Sequence, residues 1–194
     1  MNSSGDWAHT QKGRVLTRVE DWTDLSPLAK VLGILVMAAV AVGLVLLVQG
    51  YLVHSFSIPS GSMEPTLLAG DRVLTTPLVF DFRGPRRGDV VVFHSSAFGG
   101  AVLIKRVVAV GGDTVEVRDG SLYVNGQSQN EKYLLEPTIQ GSYPKTVIAK
   151  GFLFLMGDNR NNSEDSRIFG PVSEKAVIGQ ALILYWPFWH LRSL

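Results

Sequence analysis

A short loop rich in serine, at residues 56–67, offers a candidate nucleophile. Within this serine loop three serines, among them Ser60 and Ser62, surround Gly61, and two prolines hold the residues before them extended. This arrangement suits a stiff, exposed loop that presents a hydroxyl group. Serine, glycine and proline are also the common residues of ordinary turns, so a catalytic serine here needs a partner base.

Lys105 is the candidate partner base, because it interrupts an otherwise apolar, β-forming segment at residues 102–108. In a regular strand, Lys105 and Arg106 point to opposite faces, so one of them faces the interior or a cleft. Burial disfavours the charged ammonium and lowers the pKa of a lysine from its usual value of about 10.4, and the neutral amine can then accept a proton from a serine. A lysine on a solvated face is the alternative interpretation of this strand taken alone.

Histidine is a weaker candidate for the base. None of the four histidines lies in a motif-like cluster with an acidic residue that would orient it: His9, His54, His94 and His190. A Ser/His/Asp triad therefore has little support. The sequence also has no cysteine and no His/Asp cluster with convincing ligand spacing, so we expect neither a metal nor a cofactor.

A polar loop at residues 157–167 is the third candidate segment. It follows a predicted strand at residues 152–156 and consists of eleven glycine or polar residues in succession. So many hydrogen-bonding side chains indicate a loop of fixed structure. Asn, Ser and Asp are also frequent in ordinary turns, which is the alternative interpretation.

Composition limits the class of protein. The chain has 194 residues, 46% of them hydrophobic, which is enough for one apolar anchor and one globular domain with its own core. Its formal net charge of +1 provides no field that would hold a phosphate backbone, so nucleic acid is not expected as a partner. The absence of cysteine is compatible with an extracytoplasmic domain.

Residues 31–48 predict a membrane anchor. These 18 consecutive residues carry no charge and no strongly polar side chain, and as a helix they span about 27 Å, close to the hydrocarbon thickness of a bilayer. Ser26 and Pro27 predict the start of that helix. A buried core helix and a cleavable signal peptide are the alternatives, but signal-peptide apolar segments are usually shorter and precede a small-x-small pattern that is missing here.

The distribution of basic residues predicts the orientation of this anchor. Four basic residues precede it, namely Lys12, Arg14, Arg18 and Lys30. Residues 49–64 contain none, and basic residues favour the cytoplasmic side. We therefore predict a cytoplasmic tail at residues 1–27, a single-pass transmembrane anchor at 28–53 and an extracytoplasmic domain at 54–194.

Short apolar segments after the anchor predict a β-rich domain. They are rich in Val and Ile and alternate with Gly, Asp, Asn and Pro, as in strands joined by turns. We predict strands at residues 71–75, 89–93, 102–110, 114–117, 122–124, 152–156 and 177–186, with a hairpin turn at 118–121. Residues 127–150 are polar and predict an insertion or flap. The expected fold class is mainly β, with a single N-terminal transmembrane helix before a compact β-rich domain.

Taken in order, the three candidate segments resemble those of the bacterial type I signal peptidases, or leader peptidases, a Ser/Lys family of serine proteases. The shared motifs are Ser-Gly-Ser-Met-x-Pro-Thr-Leu at residues 60–67, Lys-Arg-Val at 105–107 and Gly-Asp-Asn-Arg-x-Asn-Ser-x-Asp-Ser-Arg at 157–167. One difference is Asn161, where many members have Asp. Another is the short segment at residues 127–150, where larger members carry an inserted second β-domain.

The resemblance implies a signal-peptidase catalytic domain and roles for individual residues. Ser62 is expected to be the nucleophile and Lys105 its general base. Ser60 is expected to share an oxyanion hole with the Ser62 N–H group. The nine residues from Val53 to Ser62 extend at most about 30 Å, so the nucleophile is expected near the outer surface of the membrane.

Further expectations concern supporting and substrate-binding residues. Ser163 is expected to orient the lysine amine, and Asp165 and Arg167 to form a supporting ion pair. Shallow apolar pockets for small residues at the first and third places before the scissile bond are expected to be lined by Phe56, Ile58, Met63, Leu67 and Ile104.

The function implied by the resemblance is removal of signal peptides from secreted precursors after small-x-small motifs. The expected partners are signal-peptide-bearing precursors and membrane lipid, at a bacterial plasma membrane, with the protein acting as a monomer. Two other interpretations stay open. One is a non-catalytic, membrane-anchored β-domain that binds partners. The other is a Ser/Lys protease similar to the self-cleaving SOS repressors, although those are soluble.

Overall fold

The computed structural model describes residues 26–194. The predicted cytoplasmic tail at residues 1–27, except for its last two residues, lies outside this range. So do three of the basic residues on which the predicted orientation depends, Lys12, Arg14 and Arg18.

The first element is helix α1 (Pro27–Tyr51), which has 25 residues. Ser26 caps its start, because Ser26 Oγ accepts a hydrogen bond of 3.3 Å from the Ala29 N–H group. The side chains from Pro27 to Leu46 are exposed or half-exposed, and this part of the helix is long and apolar enough to cross a membrane. The predicted apolar helix and its start are confirmed.

The residues from His54 onward form two antiparallel sheets. The strands of the larger sheet are β1 (His54–Ser57), β2 (Arg72–Thr76), β3 (Val90–Ser95), β4 (Ala101–Val110), β9 (Phe152–Met156), β10 (Val172–Ser173), β11 (Val177–Trp186) and β12 (Arg192–Ser193). Those of the smaller sheet are β5 (Thr114–Arg118), β6 (Ser121–Val124), β7 (Gln127–Ser128) and β8 (Tyr143–Val147). Two short α-helices, α2 (Leu78–Phe82) and α3 (Ser166–Phe169), and five 3₁₀ turns complete this part of the chain.

The larger sheet brings the candidate segments together through its strand order, β1-β2-β11-β3-β4-β9-β10, with β12 paired to β11. The seven predicted strands are confirmed to within about two residues, and the mainly β fold class with them. The strands that were not predicted lack the apolar alternation of the others. β1 and β8 have mixed sequences, and β8 contains Pro144. β7, β10 and β12 have two residues each.

Alternation along β3 gives the larger sheet two apolar faces. Val90 and Val92 belong to a cluster that also contains Ile58, Met63 and Leu67 of the serine loop. The intervening residues of β3 face a second cluster on the other side of the sheet. Because its apolar side chains are part of the core, the serine loop is held against β3 and β4 by hydrophobic burial.

The segment predicted to be an insertion or flap, residues 127–150, is built into the domain. It contributes β7 and β8 to the smaller sheet. Its side chains Ile139 and Ile148 are buried in a cluster with residues of β4, β5, β6 and β9. This part of the chain is therefore an integral layer of the fold.

Candidate active site

Ser62 lies in a single 3₁₀ turn, Gly61–Met63, at the centre of the serine loop. The apolar neighbours Met63 and Leu67 are fully buried and fix the turn in the core, while Ser62 keeps 9% of its surface exposed. The polar loop holds the same turn from the other side. The Asn159 N–H group donates to Ser62 O, and Asn159 Nδ2 donates to Gly61 O, both at 3.1 Å.

Lys105 reaches Ser62 from the middle of β4. Its Nζ donates to Ser62 Oγ at 2.6 Å, and the side chain is buried, with 4% of the residue exposed. Burial is the largest influence on this amine and lowers its pKa to about 8, while the carboxylate of Asp165 acts in the opposite direction. The amine therefore becomes neutral at a much lower pH than an ordinary lysine does, in contact with a serine hydroxyl.

Arg106 points to the opposite side from Lys105, as the alternation predicted, but it is buried as well. Its Nε and Nη2 donate to the two carboxylate oxygens of Asp158 at 2.8 and 2.6 Å. Asp158 also accepts a hydrogen bond of 2.5 Å from the Thr66 hydroxyl. Together with the Thr66 contact, this ion pair joins β4, the polar loop and the serine loop. It therefore holds the strand that carries Lys105 against the loop that carries Ser62.

Ser60 and Ser163 also lie at the Ser62–Lys105 pair. Ser60 Oγ lies 3.4 Å from Ser62 Oγ, and both residues line an open cavity of about 670 Å³. Ser163 lines that cavity with Lys105, and its Oγ is buried without a hydrogen-bond partner among the described residues. The structure thus brings Ser163 to the site without the hydrogen bond to Lys105 that its expected orienting role requires.

Asp165 and Arg167 form the ion pair that was expected of them. Arg167 Nε and Nη2 donate to the two carboxylate oxygens of Asp165, each at 2.8 Å. Asp165 also accepts from the Gly157 N–H group at 3.1 Å, and Arg167 donates to Arg160 O at 2.5 Å. The pair therefore holds both ends of the polar loop in place. Gly157 must be glycine, because a Cβ there would collide with Ser62 O and Ser163 Oγ.

Sequence reasoning missed a further buried ion pair, between Glu131 of the segment at 127–150 and Arg160 of the polar loop. Arg160 donates to both oxygens of Glu131, at 2.6 and 2.7 Å, and both side chains are almost completely buried. Tyr133 donates to Glu131, and its ring packs 4.1 Å from the Arg106 guanidinium. The sequence hinted at this contact only through residues 127–150, which are polar and too few to form a separate domain.

The expected substrate-binding residues divide into two groups. Phe56, Ile58 and Ile104 line a cavity of about 130 Å³ beside Ser62, which we call the apolar cavity. Met63 and Leu67 of the serine loop are fully buried in the core and do not line this cavity. Within residues 26–194 there is no group of three or more His, Asp or Glu side chains placed to hold a metal ion.

Comparison with known proteins gives a consistent result. Residues 31–186 match the family model described as signal peptidase, peptidase S26. The chain is 41% identical over 155 residues to the probable signal peptidase I-1 of Synechocystis sp., covering 76% of this chain and 79% of that protein. It is 36% identical over 171 residues to signal peptidase IB of Staphylococcus aureus, covering 79% and 88%. The thylakoidal processing peptidase 1 of Arabidopsis thaliana is 41% identical over 160 residues, which are 77% of this chain and 47% of that protein.

Proposed function

Given that the chain belongs to the signal peptidase family, peptidase S26, and is thus a serine endopeptidase, we propose that it removes signal peptides by means of a Ser62/Lys105 dyad. The observation that carries this proposal is the 2.6 Å contact between Lys105 Nζ and Ser62 Oγ, made by a lysine whose pKa is lowered by burial. Cleavage follows small-x-small motifs in secreted precursors.

The proposed reaction is acyl transfer through a serine ester. Neutral Lys105 accepts the Ser62 proton while Oγ attacks the carbonyl carbon before the scissile bond. The resulting ammonium donates that proton to the departing amine of the mature protein. Lys105, again neutral, then takes a proton from water, the hydroxide attacks the ester, and the proton returns to Ser62 as the signal peptide leaves.

Negative charge on the carbonyl oxygen is stabilised by donors at the serine loop. The Ser62 N–H group and the Ser60 hydroxyl are the proposed donors, since Ser60 Oγ lies 3.4 Å from the attacking oxygen in the free protein. Removal of one such donor typically costs about 3–4 kcal/mol of transition-state stabilisation. Ser163 is the proposed orienting partner of Lys105, since both line the same cavity and the Ser163 hydroxyl has no hydrogen-bond partner among the described residues.

The apolar cavity supports the choice of substrate. Its lining by Phe56, Ile58 and Ile104 and its volume of about 130 Å³ suit small aliphatic side chains at the first and third places before the scissile bond. These two side chains point to the same face of an extended peptide, since side chains alternate along a strand.

We assign membrane anchoring to α1, with residues 1–27 in the cytoplasm and residues 54–194 on the extracytoplasmic face of a plasma membrane. The support is a helix of 25 residues that is apolar from Pro27 to Leu46, with side chains that are exposed or half-exposed there, together with the basic residues that precede the apolar segment in the sequence. In this arrangement the protein acts as a monomer in contact with lipid, where precursors emerge from translocation.

Cleavage of a precursor tests the proposed function directly. The full-length protein in detergent should cut a precursor with Ala-x-Ala immediately after that motif, as shown by the new N-terminal sequence of the product. Ser62→Ala should be inactive but still bind the precursor. Binding without cleavage by the unsubstituted protein would instead identify a non-catalytic anchored domain.

The pH dependence of cleavage reports the proposed base. Because only the neutral amine of Lys105 accepts a proton, kcat/KM should rise with pH through a pKa of about 8. The measurement is kcat/KM from pH 5 to 10 at constant ionic strength. A rise near pH 6.5 that disappears when a histidine is replaced would identify a histidine base and overturn the dyad.

A further inference from the structure

The open cavity of about 670 Å³ at Ser62 adjoins the apolar cavity, and we call it the polar cavity. The two cavities share four lining residues, namely Ser60, Ser62, Leu103 and Lys105. Their junction therefore lies at the proposed dyad, where the scissile bond of a substrate is attacked. Because the polar cavity is much larger than the 130 Å³ of the apolar cavity, it is not restricted to small side chains.

The polar cavity continues away from this junction. It shares Asn161 and Ser163 with an extension of about 260 Å³, which is also lined by residues 140–142. The extension has no lining residue in common with the apolar cavity. The apolar cavity, the polar cavity and the extension thus adjoin one another in that order, and Ser62 lies where the first two meet.

This order of cavities gives a path for a substrate that is cut at Ser62. In the proposed function, the first and third residues before the scissile bond occupy the apolar cavity on an extended chain. Because an extended chain does not turn back on itself, the residues after the bond leave the junction in another direction. The polar cavity is open there, and it is lined by Lys105, the proposed proton donor to the departing amine. The path therefore leads the first residues of the mature protein into the polar cavity.

Glu164 gives the polar cavity a negative charge. Its side chain is exposed and makes no ion pair within 4.0 Å in the described part of the chain. The cation that lines the same cavity, Lys105, is buried against Ser62. Arg160 and Arg167, which line the extension, are each paired with a carboxylate. Among the charged groups along this path, Glu164 is the one that is exposed and available to a substrate side chain.

We propose that the polar cavity holds the first two residues of the mature protein and that Glu164 makes it favour basic over acidic side chains there. The inference rests on the proposed function, because it needs a scissile bond at Ser62 and small residues in the apolar cavity. An exposed carboxylate attracts an ammonium or guanidinium weakly and repels another carboxylate to a similar extent. The effect is therefore a graded preference between precursors, with neutral side chains intermediate.

The test uses Ala-x-Ala precursor peptides that are identical except for the two residues after the scissile bond, which are both lysine, both glutamine or both glutamate. The full-length protein is assayed in non-ionic detergent at pH 9, where the amine of Lys105, with a pKa of about 8, is mostly neutral. There kcat/KM should be about three to ten times higher for lysine than for glutamate. The ratio should fall toward one in about 1 M salt, because salt screens exposed charges.

Variants of Glu164 assign the preference to its carboxylate. Glu164→Gln should bring the lysine-to-glutamate ratio close to one, and Glu164→Lys should reverse it. Glu174→Gln is the matched control and should retain the original ratio, because Glu174 lines neither cavity nor the extension. Loss of Glu164 also alters the charge near Lys105, but that change affects every peptide alike and cancels in the ratio.

Three results would count against these assignments. A ratio near one for the unsubstituted protein, or a ratio that Glu164→Gln leaves unchanged, would overturn the subsite. So would a dependence on Glu164 that appears only when the charge is placed at the middle residue of the small-x-small motif, because the polar cavity would then hold a residue before the bond. Failure to cleave even the glutamine peptide would overturn the proposed function itself.

Discussion

Replacing Lys105 with methionine should lower kcat/KM for a small-x-small precursor by about 10³-fold or more. Methionine has a similar length and no proton-accepting group, so the substitution removes the contact to Ser62 Oγ at 2.6 Å and leaves the hydroxyl without a base. General-base catalysis alone typically contributes about 10²–10⁴-fold. Initial rates with the Ala-x-Ala precursor, measured at pH 8 and pH 9.5, give the comparison.

Lys105→Met should still fold, so its loss of activity can be assigned to catalysis and not to a loss of structure. The pKa of Lys105 falls from the ordinary 10.5 to about 8 in the folded protein, so between these values the unfolded chain binds more protons. The free energy of unfolding therefore rises with pH across this window in the unsubstituted protein, and the rise should be absent from Lys105→Met. Because burying the charged form is unfavourable, Lys105→Met should be no less stable at pH 7.

A matched control is available at Lys175, which is exposed and lies in a turn outside both cavities. Lys175→Met should retain full activity. Cleavage by Lys105→Met at the original rate, with the original pH profile, would remove Lys105 from the mechanism. Loss of activity together with loss of the folded state would assign it a structural role instead.

The Ser62–Lys105 contact could be predicted because each residue breaks a local pattern. Lys105 stands with Arg106 in an otherwise apolar strand, and Ser62 follows a glycine between two apolar anchors of its loop. Strand alternation and the motif order then placed both in one site. The same reasoning predicted one inward-facing side chain at 105–106, whereas both are buried, because the sequence does not display the carboxylate of Asp158 as the partner of Arg106.

Contacts between distant segments account for what the sequence did not predict. The Glu131–Arg160 pair joins residues 29 positions apart, and neither lies in a segment with a period of 2 or 3.6 that would reveal a buried face. Packing also decides which apolar side chains line the cavity. Met63 and Leu67 belong to the serine loop as Ile58 does, yet of these three only Ile58 lines the apolar cavity, while the other two are fully buried in the core.

Replacing Asp158 with alanine should lower the free energy of unfolding by about 3–5 kcal/mol. The carboxylate is completely buried and pairs with the buried guanidinium of Arg106, so its removal leaves an uncompensated charge in the interior. The Thr66 hydroxyl loses its acceptor at the same time. Denaturant unfolding in mild detergent, followed by tryptophan fluorescence, measures the change.

A solvated ion pair in the same domain provides the control for this effect. Glu116 lies 3.6 Å from Arg118, with half of the arginine side chain exposed, so Glu116→Ala should change stability by about 1 kcal/mol or less.

Replacing both partners of the buried pair, in Arg106→Met with Asp158→Leu, should recover much of the stability, because no unpaired charge remains. Activity should recover less, since the hydrogen bonds that join β4 to both loops are lost. A cost for Asp158→Ala no larger than that for Glu116→Ala would show that water reaches Arg106 and that the pair does not hold the loops around Ser62.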